Sequence, residues 1–384
     1  MALGDISFIK GQGGLGRQPE GQDYVSGFLY GGVKPAGYGT DTVRQFYSLK
    51  EAEDSGITAA DFPALNYQLS EYFRIMENGT VYVAFTGATT TDFTKIKDMQ
   101  LVADGKIRQV AVFLTDQVFA ASLVTGLQGV ATELEGEHTP LVILLGADMG
   151  GLTLTSLPDL SGLNCPNVAV IISESKSGQG ATLAATLGYS MPAVGALLGA
   201  VSLASVSENI GWVNKFNVAG TELDELAFST GNDYKTVTKT QQNDLDAKHY
   251  IFLRKLVGLD GSYFSTDHTA ATGDYSRIAL VRTIDKAIRN VRTALLPFVN
   301  SPVVVDRNTG KLTLDTVRSY EAVGQKQLDL MQANGEVSGG LVTIDPNQNV
   351  LATDEIKVKI EIVPVGTATS IKVYIGFVSK ISGQ

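Results

Sequence analysis

Cysteine occurs once in the 384 residues, at Cys165, so no intramolecular disulfide can form and no cysteine-based metal site is available. Histidine occurs three times, which confines imidazole chemistry to a few places. A basic excess is missing too. The formal charge of −10 argues against a nucleic-acid partner, because phosphate binding needs a basic surface. The most apolar run, Met191 to Val206, is rich in Gly, Ala and Ser and begins Met-Pro. It falls short of the ~20 apolar residues that a bilayer span requires, so no membrane contact is expected. The amino-terminal stretch lacks a charged-then-apolar signal layout, and the chain is expected to fold in a cytoplasm.

What is present describes a globular chain. Apolar residues make up 44% and charged residues 18%, a balance that supports a buried core over disorder. Glycine, at 41 residues, exceeds the usual share of about 7% and implies many turns and close backbone contacts. Charge is unevenly spread. Residues 1–244 hold 14 Lys/Arg against 26 Asp/Glu, whereas residues 245–384 hold 16 against 14. The first part reads as an acidic body and the second as a part that packs against partners.

Patterning divides the chain into four. Residues 1–20 offer one short strand at Ile6, Phe8 and Ile9, followed by a glycine-rich stretch; this reads as an arm that finds its sheet elsewhere. Between residues 21 and 245, the apolar runs 81–85, 109–114, 141–145 and 167–172 read as strands buried on both faces. Helical stretches at 116–134 and 181–187 alternate with them, giving an acidic α/β body with a largely parallel sheet. Residues 246–350 carry two helices. The first, 278–298, lines up Ile278, Val281, Ile284, Ile288, Val291 and Leu295, with a basic stripe of Arg282, Lys286, Arg289 and Arg292. The second, 314–333, turns Val317, Tyr320, Leu328 and Met331 inward and Arg318, Glu321, Gln325 and Asp329 outward. Residues 351–384 hold two strictly alternating segments, with Ile356, Val358, Ile360 and Ile362 in one and Ile371, Val373 and Ile375 in the other. They form either a hairpin or two strands joined by a crossing. The whole is mixed α/β, with strand-forming arms at both ends. Exchange of such segments links protomers at little cost.

The residues that could carry catalysis are few. His138 lies in a Glu-rich loop. His249 follows Asp244 and Asp246, a spacing that could line a hard-cation site, although a polar loop is the plainer reading. His268 follows Asp267 among hydroxyl residues, but no Gly-x-Ser-x-Gly elbow supplies a nucleophile. The segment 175–182 lies between a strand and a helix, a position suited to anions, yet it lacks the Gly-Lys-Ser/Thr ending of a phosphate loop. No catalytic residue, cofactor or metal ligand is assigned. The basic stripe on 278–298 is either a solvated face or a charged contact with another subunit.

Residues 246–384 resemble the C-terminal domain of contractile tail sheath proteins of phages and related injection machines. The matching features occur in order: the Gly- and Thr-rich segment 259–270, the helix 275–299, the helix 316–340 with its Gly-rich exit, and the closing strands 356–364 and 371–377, where the family's Ile-x-Ile-x-Pro-Val pattern stands as Glu361-Ile-Val-Pro-Val365. The family's Trp in the Gly-rich stretch is absent, the single Trp being Trp212. The resemblance implies a non-enzymatic subunit in a helical homopolymer of stacked rings, part of a virion tail or contractile injection particle. Its partners would be further copies of itself, an inner tail tube protein, and baseplate and tail terminator proteins. Terminal arms would add strands to neighbouring sheets. One helix of the domain would face the tube, here through Arg318, Glu321, Gln325 and Asp329. A shell or surface-layer protein is the alternative of a different class, and an α/β hydrolase the third.

Overall fold

Most of the apolar runs read as strands form strands. A computed structural model describes residues 23–377; the expected arm with Ile6, Phe8 and Ile9 lies outside the described residues. The strands are β1 (Val25–Tyr30), β2 (Val43–Phe46), β3 (Thr80–Phe85), β4 (Gln109–Val118), β5 (Val142–Asp148), β6 (Val168–Ile171), β7 (Ser173–Ser175), β8 (Leu226–Phe228), β9 (Tyr250–Ile251), β10 (Leu253–Leu256), β11 (Leu259–Phe264), β12 (Val337–Ile344) and β13 (Val358–Pro364). The helices are α1 (Leu49–Asp54), α2 (Pro63–Ile75), α3 (Lys95–Val102), α4 (Ala121–Gly136), α5 (Gln179–Leu187), α6 (Val194–Leu203), α7 (Lys239–Ala247), α8 (Ile278–Leu295), α9 (Leu314–Ala333) and α10 (Val350–Thr353).

Seven strands build the main sheet in the order β2-β3-β1-β4-β5-β6-β9. Only β2 is antiparallel to its neighbour. One apolar cluster, including Phe28, Val83 and Leu144, packs α2 and α6 on one face; a second, including Leu29, Val112 and Leu145, packs α3 and α4 on the other. Helices on both faces are what a parallel sheet of doubly buried strands requires. The edge strands β2 and β9 have four and two residues, short enough to discourage pairing between copies. The last of these, β9, lies beyond residue 245, so the sheet of the acidic body is completed from the following segment.

One local reading changes. The helix expected from Asp116 begins at Ala121, because β4 continues to Val118 and pairs with Asp148 across a register shift. Backbone bonding extends the strand where the apolar run has ended. The run Met191–Val206 contains α6, in which every residue from Val194 to Ser202 is buried. It crosses α2 through Gly195 and Gly199. A Cβ on Gly195 would lie 2.7 Å from the Gln68 carbonyl carbon, and one on Gly199 would lie 2.9 Å from Ile75 Cβ. Gln68 closes the crossing: its Oε1 accepts from Gly195 N at 2.7 Å and its Nε2 donates to Pro192 O at 2.8 Å. An otherwise orphaned N–H at the start of α6 is thereby satisfied.

The C-terminal unit shares α8 with the body. Ile278 and Val281 belong to the main core, while Ala287 and Val291 join Leu328 and Met331 of α9 and Val337 and Val342 of β12 in a separate cluster. Because α8 serves two cores, its buried surface does not coincide with its apolar stripe: Arg282, Thr283 and Asp285 are buried, and Ile288 is 43% exposed. β12 and β13 form a two-stranded antiparallel sheet. The partner of the 356–363 segment is therefore β12, which Ser338, Gly339 and Gly340 conceal, and residues 371–377 form no strand.

Candidate functional site

The β12–β13 sheet has two unlike edges. In an antiparallel ladder, residues alternately direct their N–H and C=O groups at the partner and away from it. On β12 the outward groups belong to Gly340, Val342 and Ile344, and α9 covers them. Glu321 Oε1 accepts from Ile344 N at 2.8 Å, Gln325 Oε1 accepts from Val342 N at 3.0 Å, and Gln325 Nε2 donates to Gly340 O at 3.0 Å. The residues paired with these three are Val358, Ile360 and Ile362 of β13. Their outward N–H and C=O groups have no backbone partner among the described residues. One edge is closed by side chains of its own subunit and the other is open.

The structure sorts the expected arm residues into two groups. Val358, Ile360 and Ile362 rest their side chains against the α8–α9 core, and Ile356 and Val358 pack on a small cluster around Leu312, Val317 and Ile344. β13 is thus held by its own subunit. Ile371, Val373 and Ile375 are 83%, 79% and 95% exposed, as are Tyr374 and Phe377 beside them. The same unit thus holds an open sheet edge and, separately, a strand-forming sequence that stands free of its own core.

Of the four outward positions on α9, Arg318 and Asp329 are exposed, whereas Glu321 and Gln325 face β12. Their i, i+4 spacing, matched to alternate residues of a strand, was the available signal for that role. It was unreadable until the strand itself was known.

The basic stripe on α8 is spent largely inside the chain. Arg282 donates to Val201 O at 2.8 Å and Ala204 O at 3.1 Å, which caps the end of α6, and also to Asp23 O at 3.2 Å. Lys286 meets Asp23 and Glu336, and Arg289 meets Asp23. Burial lowers Arg282 to about 10 and raises the buried Asp285 to about 7. Arg292 alone of the four is exposed. Asp23 and Glu336 went unnoticed in the sequence because neither falls in a periodic pattern.

The groups that invited enzymatic readings have structural occupations. The 175–182 turn does present N–H groups at the start of α5, but Glu222 takes them, accepting from Gln179 N at 3.1 Å and Gly180 N at 3.0 Å. Asp267 accepts from Ala279 N at 3.0 Å and from Asn209 Nδ2 at 2.6 Å, holding the first turn of α8. Asp244 pairs with Lys248. Among the described residues, no group of three or more His, Cys, Asp or Glu is arranged to hold a metal.

His249 and His268 come together as a face-to-face stack, with centroids 4.2 Å apart and planes within 3°. His249 Nδ1 lies 2.9 Å from Thr269 O, so this nitrogen carries the proton. His268 Nε2 lies 3.5 Å from Asp246 Oδ1. Burial holds His249 below the usual imidazole range, with the Thr269 carbonyl opposing. A base whose folded pKa is depressed takes up protons more readily when unfolded. Its stabilising share is therefore complete above the ordinary histidine pKa and declines as pH falls through about 6.5 towards the folded value. Urea midpoints measured from pH 7.5 down to 5 should fall more steeply for the native chain than for His249→Gln. Parallel curves would show that His249 contributes nothing to the slope.

This arrangement of layers and helices has counterparts among solved structures. The chain aligns with the contracted helical sheath of the anti-feeding prophage at a TM-score of 0.67 and 15% identity, covering 99% of this chain and 100% of that one. It aligns with the contracted PVC sheath complex of an extracellular contractile injection system at 0.63 and 13%, covering 98% of each. A sheath tail protein from Listeria innocua aligns at 0.58 and 10%, covering 88% of this chain and 92% of that one. The fold is that of contractile sheath subunits. The N-terminal domain of DUF2586 matches residues 3–268 and its C-terminal domain matches residues 274–382, and the chain belongs to the DUF2586 family. No curated protein matches the sequence.

Proposed function

We propose that the chain is the repeating subunit of a contractile sheath, polymerising helically around an inner tube and shortening to drive that tube through a target envelope. The observation that carries this reading is that one unit holds both an exposed alternating segment, residues 371–377, and an open sheet edge, that of β13. A strand that buries nothing at home gains both ladder hydrogen bonds and apolar burial on the sheet of a neighbour. Alternate side chains such as Ile371, Val373 and Ile375 would set its register. Copies linked in this way stay connected while they rotate and gain contact area, so shortening can run from a trapped extended state without fuel.

In this reading, Arg318 and Asp329 on the exposed side of α9 face the tube, and Arg292 is the part of the basic stripe left to meet a neighbouring subunit. The partners are further copies, the tube protein, and the baseplate and terminator proteins that end the sheath, within a phage tail or related injection particle. Likeness to a chain of the anti-feeding prophage baseplate structure, at a TM-score of 0.61, is in keeping with that company. Negative-stain microscopy of the purified full-length protein tests the reading. Long hollow tubes are expected. Flat lattices would transfer the protein to the surface-layer class, and a chain that stays monomeric at high concentration would remove the sheath assignment.

A further inference from the structure

Lys286 stands between two carboxylates from opposite parts of the fold. Its Nζ lies 2.6 Å from Asp23 Oδ2 and 2.5 Å from Glu336 Oε1, and the three side chains are 12%, 18% and 10% exposed. Asp23 stands two residues ahead of β1 in the main sheet, and Glu336 immediately precedes β12. The turn that carries Glu336 touches the body at a second point, where Ser207 Oγ donates to Gly335 O at 3.4 Å. The two carboxylates depend unequally on Lys286. Asp23 keeps Arg289 at 3.2 Å and Arg282 on its carbonyl oxygen. Glu336 keeps no hydrogen bond or ion pair of that kind: Arg289 acts on it only through space, and its Oε2 is buried without a hydrogen-bond partner among the described residues. Removing one member of a buried pair leaves the other as an uncompensated charge, which must reach water or be neutralised. Here the stranded charge would be Glu336, and the way for it to reach water is for the α9–β12 turn to leave the body.

We propose that Lys286 is a positioning residue that fastens the α9–β12 turn to the head of β1 and so fixes the angle at which the β12–β13 sheet presents its open edge to the next copy. The purpose of the joint rests on the strand-addition reading, whereas its geometry does not.

Cysteines introduced at the exposed Thr182 on α5 and Lys326 on α9 can carry spin labels, since Cys165 is buried. Pulsed dipolar spectroscopy on the labelled full-length chain, diluted with unlabelled chain, then reads the distance from body to C-terminal unit. The native chain should give one narrow distribution. Lys286→Met should broaden it about twofold, because the unpaired Glu336 drives the turn outward. Lys286→Arg should restore the native width, and the double variant Lys286→Met with Glu336→Gln should recover most of it by removing the stranded charge. A Lys286→Met distribution as narrow as the native one overturns the proposal, as does a double variant no narrower than the single. Tube formation is scored separately. If the native chain forms no tubes, the sheath reading fails while the distances still decide the joint. If Lys286→Met forms tubes with native order, Lys286 has no part in presenting the edge.

Discussion

A chain ending at Ser370 should fold and melt as the full-length subunit does and yet fail to assemble. Ile371, Tyr374, Ile375 and Phe377 are between 83% and 110% exposed, so deleting them removes almost no burial from the isolated subunit, an effect within about 0.5 kcal/mol. In a polymer linked through this segment the balance reverses. Each large apolar side chain buried on a neighbour contributes roughly 1.5–3 kcal/mol, and four of them amount to several kcal/mol even after the ordering cost of the strand. Thermal melting and sedimentation, compared on the same sample, separate the two effects. A pair of point substitutions on β13 sharpens the test. Ile360 sends its N–H to the open edge, so Ile360→Pro should leave the β12 ladder bonded and block strand addition. Lys359, opposite Thr343 in the ladder, sends its N–H to β12, so Lys359→Pro should cost about 3 kcal/mol of subunit stability. A truncated chain that still sediments as polymer would refute the strand link.

Gly195→Ala should be among the most damaging single substitutions in the body. Two terms oppose one another. Replacing a helical glycine with alanine favours the helix by about 1 kcal/mol. Against that, the new Cβ would fall on the Gln68 main chain, 2.7 Å from its carbonyl carbon, where no side chain can rotate aside. The two helices must separate, which also loosens the Gln68 bonds to Gly195 and Pro192. Overpacking of this kind costs about 1–3 kcal/mol and, against rigid backbone, more. The clash wins, and a net loss of at least about 2 kcal/mol is expected in urea denaturation. Gly129 in α4 supplies the control, since a Cβ there meets nothing within 4 Å. Gly129→Ala should stabilise by roughly 0.5–1 kcal/mol. Equal effects at the two glycines would mean that the α2–α6 crossing is looser than its geometry.

The parts of the fold most legible in the sequence were those whose side chains repeat. The runs around Val81, Val110, Ile143 and Val168 became central strands because burial on both faces demands unbroken apolar sequence, and α9 spans Leu314–Ala333 as its spacing implies. What stayed hidden was structure made by backbone and by single polar groups. β12 contains Ser338, Gly339 and Gly340 and carries little alternation, yet it receives β13. Three of the four basic residues on α8 point at partners more than 70 residues away in the chain, contacts that no local pattern announces. His249 and His268 are 19 positions apart, and their stacking depends on how the chain returns from the β10–β11 hairpin.

The asymmetry of the β12–β13 sheet bears on the kind of object that copies can build. If copies join by strand addition, then with Glu321 and Gln325 occupying one margin each sheet has a valence of one towards an incoming strand. Units of that valence join into directional, unbranched rows, and a mutation that freed the second margin would admit branching. Gln325→Ala, which leaves Val342 N and Gly340 O uncovered, is where such disorder would begin.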